Sequence, residues 1–140
     1  MGDRGLRNDS REVRWGVLGA GRISHRFASS LKEVDGARLV AAAGRTPSHV
    51  EEFCRAFSID AVHSYVTADD NGNAAYDALI ADPDVDAIYL ALPHGMHTRW
   101  ACRALRAGKA VLCEKPAVLS VEEALSIVST SRERGVLFME

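Results

Sequence analysis

Val13-Arg-Trp-Gly-Val-Leu18 runs directly into Gly19-Ala-Gly21-Arg-Ile-Ser24, and this join decides the fold. The first part is a short apolar strand, and Gly19 and Gly21 break it. Ile23, Phe27, Leu31 and Val34 then recur at spacings of three and four, the apolar stripe of a helix. Glycines at a strand-to-helix join suit an anion. Gly19 permits a tight turn, and Gly21 lets the backbone approach a pyrophosphate. The free N–H groups of the helix start then face the negative charge. The third position holds Ser24, which is small enough for close helix–strand packing. A plain glycine turn is the competing reading, and the alternating pattern around the motif argues against it.

Outward from this join, strands and helices alternate. Ala37–Ala43 is a second strand. Thr46-Pro47 reads as an N-cap with proline in the first turn, opening a helix with Val50, Phe53, Cys54 and Phe57 on one face. A short strand is expected over 62–66, a polar loop over 67–73, and a short helix over 74–81, closed by Asp82-Pro83. Val85–Leu92 is the clearest strand, and Pro93-His-Gly95 turns the chain. Trp100, Ala101, Ala104 and Leu105 mark a helix ended by Gly108. Ala110–Cys113 is a strand ended by Glu114-Lys115-Pro116. Ser120-x-x-Glu123 is a capping box, and its helix continues through Leu125, Val128 and Ser129 to Gly135. Val136–Met139 is the last strand. Near-continuous apolar strands alternating with helices mean a parallel sheet covered on both faces, an α/β doubly wound fold of Rossmann type.

The chain has 140 residues, enough for one domain with a real core. Apolar residues make up 47% and charged residues 26%, which argues against disorder. Seventeen basic and nineteen acidic residues leave a net charge of −2. That balance gives no pull toward nucleic acid or an anionic membrane. No apolar run is long enough to span a bilayer, and the start of the chain lacks a signal peptide's apolar core. Three cysteines form no disulfide framework, so a reduced cytoplasm is expected. Residues 1–12 are expected to be a polar tail and 13–140 one dinucleotide-binding domain.

In NAD-preferring folds an acid stands about 20 residues past the glycines, at the end of the second strand. That slot here reads Ala43-Gly44-Arg45-Thr46. Asp35 comes too early and Glu51 too late. Gly44 makes room, the planar fork of Arg45 can pair with a 2′-phosphate, and Thr46 or Ser48 can add a hydroxyl. The slot predicts NADP(H) as the preferred cofactor, with NAD(H) second. A solvated surface arginine is the other reading of Arg45.

Trp15-Gly-Val-Leu-Gly-Ala-Gly-Arg-Ile-Ser24, Leu92-Pro-His-Gly-Met-His97 and Ala107-Gly-Lys-Ala-Val-Leu-Cys-Glu-Lys-Pro116 resemble the Gfo/Idh/MocA oxidoreductases over residues 13–140. The arginine in the ribose slot, His94-x-x-His97 and the closing Leu-Phe-Met-Glu140 look most like the dimeric dihydrodiol dehydrogenase and NADP-dependent D-xylose dehydrogenase branch. The resemblance implies a Rossmann domain followed by a substrate domain that also carries the usual dimer interface. It implies that Lys115 lies by the nicotinamide and the substrate hydroxyl, where it orients the substrate and helps move the proton. Glu114 would anchor that corner, and the Lys115–Pro116 bond is often cis in relatives. His97 matches the family's histidine after the fourth strand. His94 stands where many members have asparagine and the dihydrodiol branch has histidine. Residues 67–73 depart from the pattern as an insertion, and the chain stops about where relatives enter the second domain.

The residues agree with that implication. Ligands of open α/β sheets bind beyond the carboxyl ends of the strands, where Gly19–Gly21, Gly44–Arg45, Pro93–His97 and Glu114–Pro116 all fall. The expected cofactor-binding set is Gly19, Ala20, Gly21, Arg22, Ile23, Gly44, Arg45, Thr46, Leu92, Pro93, His94, His97, Glu114 and Lys115. Lys115 is the catalytic candidate, expected to be partly desolvated with its pKa lowered. No metal is expected: Gly95 interrupts His94-x-x-His97, and no second ligand pair follows. Cys113 in an apolar strand reads as an inert thiol. His25, His49 and His63 have no partner pattern. Arg99, Arg103 and Arg106 read as a solvated basic face, and Trp100 as core.

Three functional readings follow. One is the cofactor half of an NADP(H)-dependent oxidoreductase acting on a sugar, polyol or trans-dihydrodiol, weakly active or inactive by itself. A second is a stand-alone, non-catalytic NADP(H)-binding sensor or partner subunit. The third is a truncated or excised fragment with no independent function, and in either truncated case an uncovered apolar surface would lead to pairing or oligomers.

Overall fold

The computed structural model describes residues 12–68 and 70–140. Most of the expected tail and Asp69 of the expected loop lie outside these residues. Six parallel strands form one sheet: β1 (Val13–Leu18), β2 (Ala37–Gly44), β3 (Ser64–Val66), β4 (Ala87–Leu90), β5 (Ala110–Cys113) and β6 (Phe138–Met139). Their order is β3-β2-β1-β4-β5-β6, the Rossmann order, with the topological switch between β1 and β4. The connections carry α1 (Arg22–Leu31), α2 (Pro47–Phe57), α3 (Asn73–Ala81), α4 (His97–Arg106) and α5 (Val121–Arg134).

Successive strand residues face opposite sides, and both sides are buried. Val17, Ala42 and Tyr89 join Phe53, Val50 and Ala28 beneath α1 and α2. Leu18, Ala43, Ile88, Leu90 and Val111 join Leu79, Trp100, Leu105 and Ile127 beneath α3, α4 and α5. Two covered faces explain the near-continuous apolar strands.

Several expected elements are shorter, each because a local hydrogen bond claims the backbone. Val62 and His63 lie in a 3₁₀ turn: the Val62 N–H bonds Asp60 Oδ1 at 3.3 Å, and the His63 N–H bonds the Asp60 carbonyl at 3.0 Å. Val85 stays out of β4 because Asp82 folds the chain into a turn, with Asp82 Oδ1 accepting the Asp84 N–H at 2.8 Å. Val136 is held at the end of α5 by Ser131, whose hydroxyl donates to its carbonyl at 2.6 Å. Thr46 occupies the N-cap position of α2 but makes no side-chain cap bond, while Pro47 opens the helix as expected.

Two helix faces differ from the expected stripes. On α1 the buried residues are Ser24, Ala28 and Leu31, whereas Ile23 is exposed, and so is Val34, which lies beyond the helix end. On α5 they are Ile127 and Thr130, whereas Leu125 and Val128 are exposed. In the capping box the Ser120 hydroxyl accepts the Glu123 N–H at 3.2 Å. The Glu123 carboxylate reaches one residue further back, to the Leu119 N–H at 2.7 Å.

Candidate active site

Three of the loops that leave the sheet at its carboxyl edge are each anchored by one more rung of the ladder. The Gly19 N–H bonds the Ala43 carbonyl, the Ala91 N–H the Leu18 carbonyl and the Glu114 N–H the Leu90 carbonyl, all at 2.9 Å. The sheet's register is thus transmitted into the first residues of the glycine turn, the Pro93 loop and the Glu-Lys-Pro corner.

The glycine turn has two kinds of glycine. Gly19 sits at φ +97°, and a Cβ there would lie 2.6 Å from the Ala91 carbonyl oxygen, so both conformation and space demand glycine. At Gly21 a Cβ would meet nothing within 4 Å. Gly21 is the N-cap of α1 and supplies no side-chain cap, and no acid stands in the first turn. Among the described residues nothing bonds the Arg22 and Ile23 N–H groups, and the helix start borders a hollow, which fits a pyrophosphate. Ser24 is fully buried, and its hydroxyl donates to the Gly19 carbonyl at 2.5 Å. The serine in the third place ties helix and turn together.

A cleft of about 220 Å³ crosses the switch point, lined by Gly19–Gly21, Gly44–Thr46, His49, Tyr76 and Ala91–Pro93. A second hollow continues past Gly21 to Arg22, His25, His49 and Glu52. His25 and His49 thus border the groove, which no pattern in the sequence signals. Gly44 lines the cleft, but the space of its absent Cβ is held by Val50 Cγ2, 2.8 Å away. It is small so that α2 can pack on β2, not to make room for a ligand. Arg45 is exposed at the mouth.

His97 corrects the expected cofactor contacts. It is fully buried. Its Nε2 faces the Leu92 carbonyl at 2.7 Å and its Nδ1 the Pro116 carbonyl at 3.0 Å. Both ring nitrogens are engaged by protein, so neither reaches the cleft or serves a metal beside His94. His97 instead joins the Pro93 loop to the Glu-Lys-Pro corner. In that corner Glu114 accepts from the Tyr89 hydroxyl and, at 3.2 Å, from the Lys115 N–H. The Lys115–Pro116 bond is cis. Lys115 itself is exposed rather than partly desolvated.

Residues 13–140 match the family described as "Oxidoreductase family, NAD-binding Rossmann fold". The chain belongs to the Gfo/Idh/MocA oxidoreductase family. Relatives within it include the trans-1,2-dihydrobenzene-1,2-diol dehydrogenase of Bos taurus, 35% identical over 91% of this chain and 36% of that protein. The dTDP-3,4-didehydro-2,6-dideoxy-alpha-D-glucose 3-reductase of Saccharopolyspora spinosa is 34% identical over 91% and 36%. Among solved structures, KijD10, a 3-ketoreductase from Actinomadura kijaniata in complex with NADP and TDP-benzene, superposes with a TM-score of 0.79. It is 34% identical over 93% of this chain and 37% of KijD10. The chain thus spans just over a third of the length of the Gfo/Idh/MocA proteins it matches. No helix among the described residues is long and apolar enough to cross a membrane.

Proposed function

We propose that this chain is the cofactor-binding part of an NADP(H)-dependent oxidoreductase that interconverts a secondary alcohol and a carbonyl on a sugar or trans-dihydrodiol. The observation that carries the reading is the convergence of an uncapped helix start at Gly21, Arg45 and Lys115 along one carboxyl edge of the sheet. The NADP complex of KijD10 supports the choice of cofactor.

The N–H groups of Arg22 and Ile23 receive the pyrophosphate, and Arg45 with Thr46 reads the 2′-phosphate. Leu92–His94 border the nicotinamide ribose, and Glu114 holds the corner from which Lys115 projects. The nicotinamide, when bound, supplies or accepts a hydride at C4. Lys115 Nζ, as the free amine, accepts a hydrogen bond from the substrate hydroxyl and takes its proton as the carbinol carbon gives up hydride. In reduction Nζ returns that proton to the new alkoxide.

Titration of the chain with NADPH and NADH tests the reading. We expect saturable binding of both, with NADPH at least about tenfold tighter. Arg45→Ala should remove most of that preference, whereas Lys115→Ala should leave it. Failure of the folded chain to bind either cofactor, or an Arg45→Ala variant with its preference intact, would overturn it.

A further inference from the structure

The cleft has a side bay of about 280 Å³ that nothing in the sequence announces. Arg45, at the end of β2, forms one wall, and Arg99, in the first turn of α4, forms the other. Tyr76 and Pro93 line both the bay and the main cleft, so the two spaces are continuous. Asn71 and Asn73 close the outer side.

Arg99 is held in place from below. Its guanidinium lies over the Trp100 ring, 5.0 Å from the centroid. Trp100 is fully buried and packs edge-on against Tyr76 at 5.1 Å. Arg103, one turn later, lies over the same ring at 5.4 Å but is paired with Asp77 at 2.6 Å. Among the described residues no carboxylate pairs with Arg45 or Arg99. Two cations without a carboxylate partner among the described residues therefore border one bay. Like charges so placed repel, and an anion between them removes that cost.

The geometry points to Arg99 as the second cation of the 2′-phosphate site, opposite Arg45. This inference rests on the NADP reading above. A phosphate monoester is close to a dianion at neutral pH. Two guanidinium forks from separate elements match its charge and its acceptor oxygens better than one. An arginine reading the cofactor from α4 lies 54 residues beyond Arg45 in the chain, outside the span that the ribose slot occupies in sequence.

The test compares wild type, Arg99→Ala, Arg99→Lys and Arg103→Ala in titrations with NADPH, NADH, 2′,5′-ADP and 5′-AMP. Arg99→Ala should weaken NADPH and 2′,5′-ADP about tenfold and leave NADH and 5′-AMP within about twofold. Arg99→Lys should recover part of the loss, and Arg103→Ala, which removes the same charge nearby, should change none of the four. An unchanged melting temperature for Arg99→Ala separates a lost contact from a damaged fold. If wild type prefers NADPH but Arg99→Ala weakens NADPH and NADH equally, or neither, the role of Arg99 falls and the NADP reading stands. An equal loss would make Arg99 a stacking surface for the adenine. If wild type shows no preference for the phosphorylated cofactor, the NADP reading itself fails, and this inference with it.

Discussion

The hydroxyl of Tyr89 donates a hydrogen bond to the carboxylate of Glu114. Tyr89 is buried on β4 and stacked on Phe27 at 4.0 Å, so the family's Glu-Lys-Pro corner is fastened to the core beneath α1. Burial, followed by this bond and the charge of Glu114, drives the Tyr89 hydroxyl far above its ordinary pKa. Tyr89→Phe keeps the ring and its stacking. It should cost about 1.5–3 kcal/mol, the range for a bond to a charged acceptor, measured by urea unfolding. Cofactor affinity should fall along with it, because Glu114 then holds Lys115 less firmly.

Gly19 and Gly21 should respond oppositely to the same substitution. Gly19→Ala forces a Cβ against the Ala91 carbonyl in a left-handed conformation and should destabilise the fold by roughly 2–4 kcal/mol. Gly21→Ala meets open space and should leave the melting temperature nearly unchanged while weakening cofactor binding at least about tenfold. Thermal melts and titrations of the two variants side by side check this contrast.

His97→Ala removes the clamp between Leu92 and Pro116 and leaves two carbonyls and a cavity. A loss of about 2–4 kcal/mol is expected. If His97 acts through the loops it joins, His97→Ala should also weaken NADPH and NADH by the same factor, since neither ring nitrogen faces the cleft.

Below the sheet, Asp82 accepts from His63 Nδ1 at 2.7 Å, from the Tyr65 hydroxyl at 2.9 Å and from the Asp84 N–H at 2.8 Å. Burial pushes the Asp82 carboxyl up, but these bonds together outweigh it and hold it below the ordinary 3.8. A depressed folded pKa means stability present above the unfolded value and lost as pH falls through the folded one. Asp82→Asn should therefore cost about 1–3 kcal/mol at neutral pH. The deficit should shrink as pH drops below 3.8, which acid unfolding curves of both proteins would show.

Cys113 is almost fully buried, and burial, followed by Glu140 and Glu114, raises its thiol to about 12. Burial also raises Cys54, against a smaller opposing effect from Ser64. Neither thiol holds appreciable thiolate near neutral pH. Iodoacetamide should leave both unmodified in the native chain and label them in denaturant, read by mass spectrometry.

The alternation of strands and helices and the carboxyl-edge loops were legible because apolar runs and glycine breaks report local geometry directly. Side-chain facing was harder to read. Ile23-Phe27-Leu31 and Ser24-Ala28-Leu31 are overlapping stripes on one helix, and the second is buried where the Ser24 hydroxyl bonds the Gly19 carbonyl and draws that side of α1 onto the turn. Leu125 and Val128 misled for a related reason: an apolar residue on a helix need not face the sheet, and Ile127 does. The partners of His63 and the clamp of His97 join residues 19 positions apart or more at one end, beyond any local period. Arg99 is spaced like Arg103 and Arg106, and only the fold separates a residue beside a bay from one paired with Asp77.

Strand β1 meets β4 only after the chain has run out through β2 and β3 and returned. Arg14 and Asp86, hydrogen-bonded at 2.9 Å, close a loop of 72 residues. Loop closure on that scale must be completed before the contacts it brings can reward it. A sheet with its central seam made this way should fold in milliseconds to seconds rather than microseconds. A molecule lodged across the switch point touches both sides of it, so filling the cleft should slow unfolding as well as raise the melting temperature.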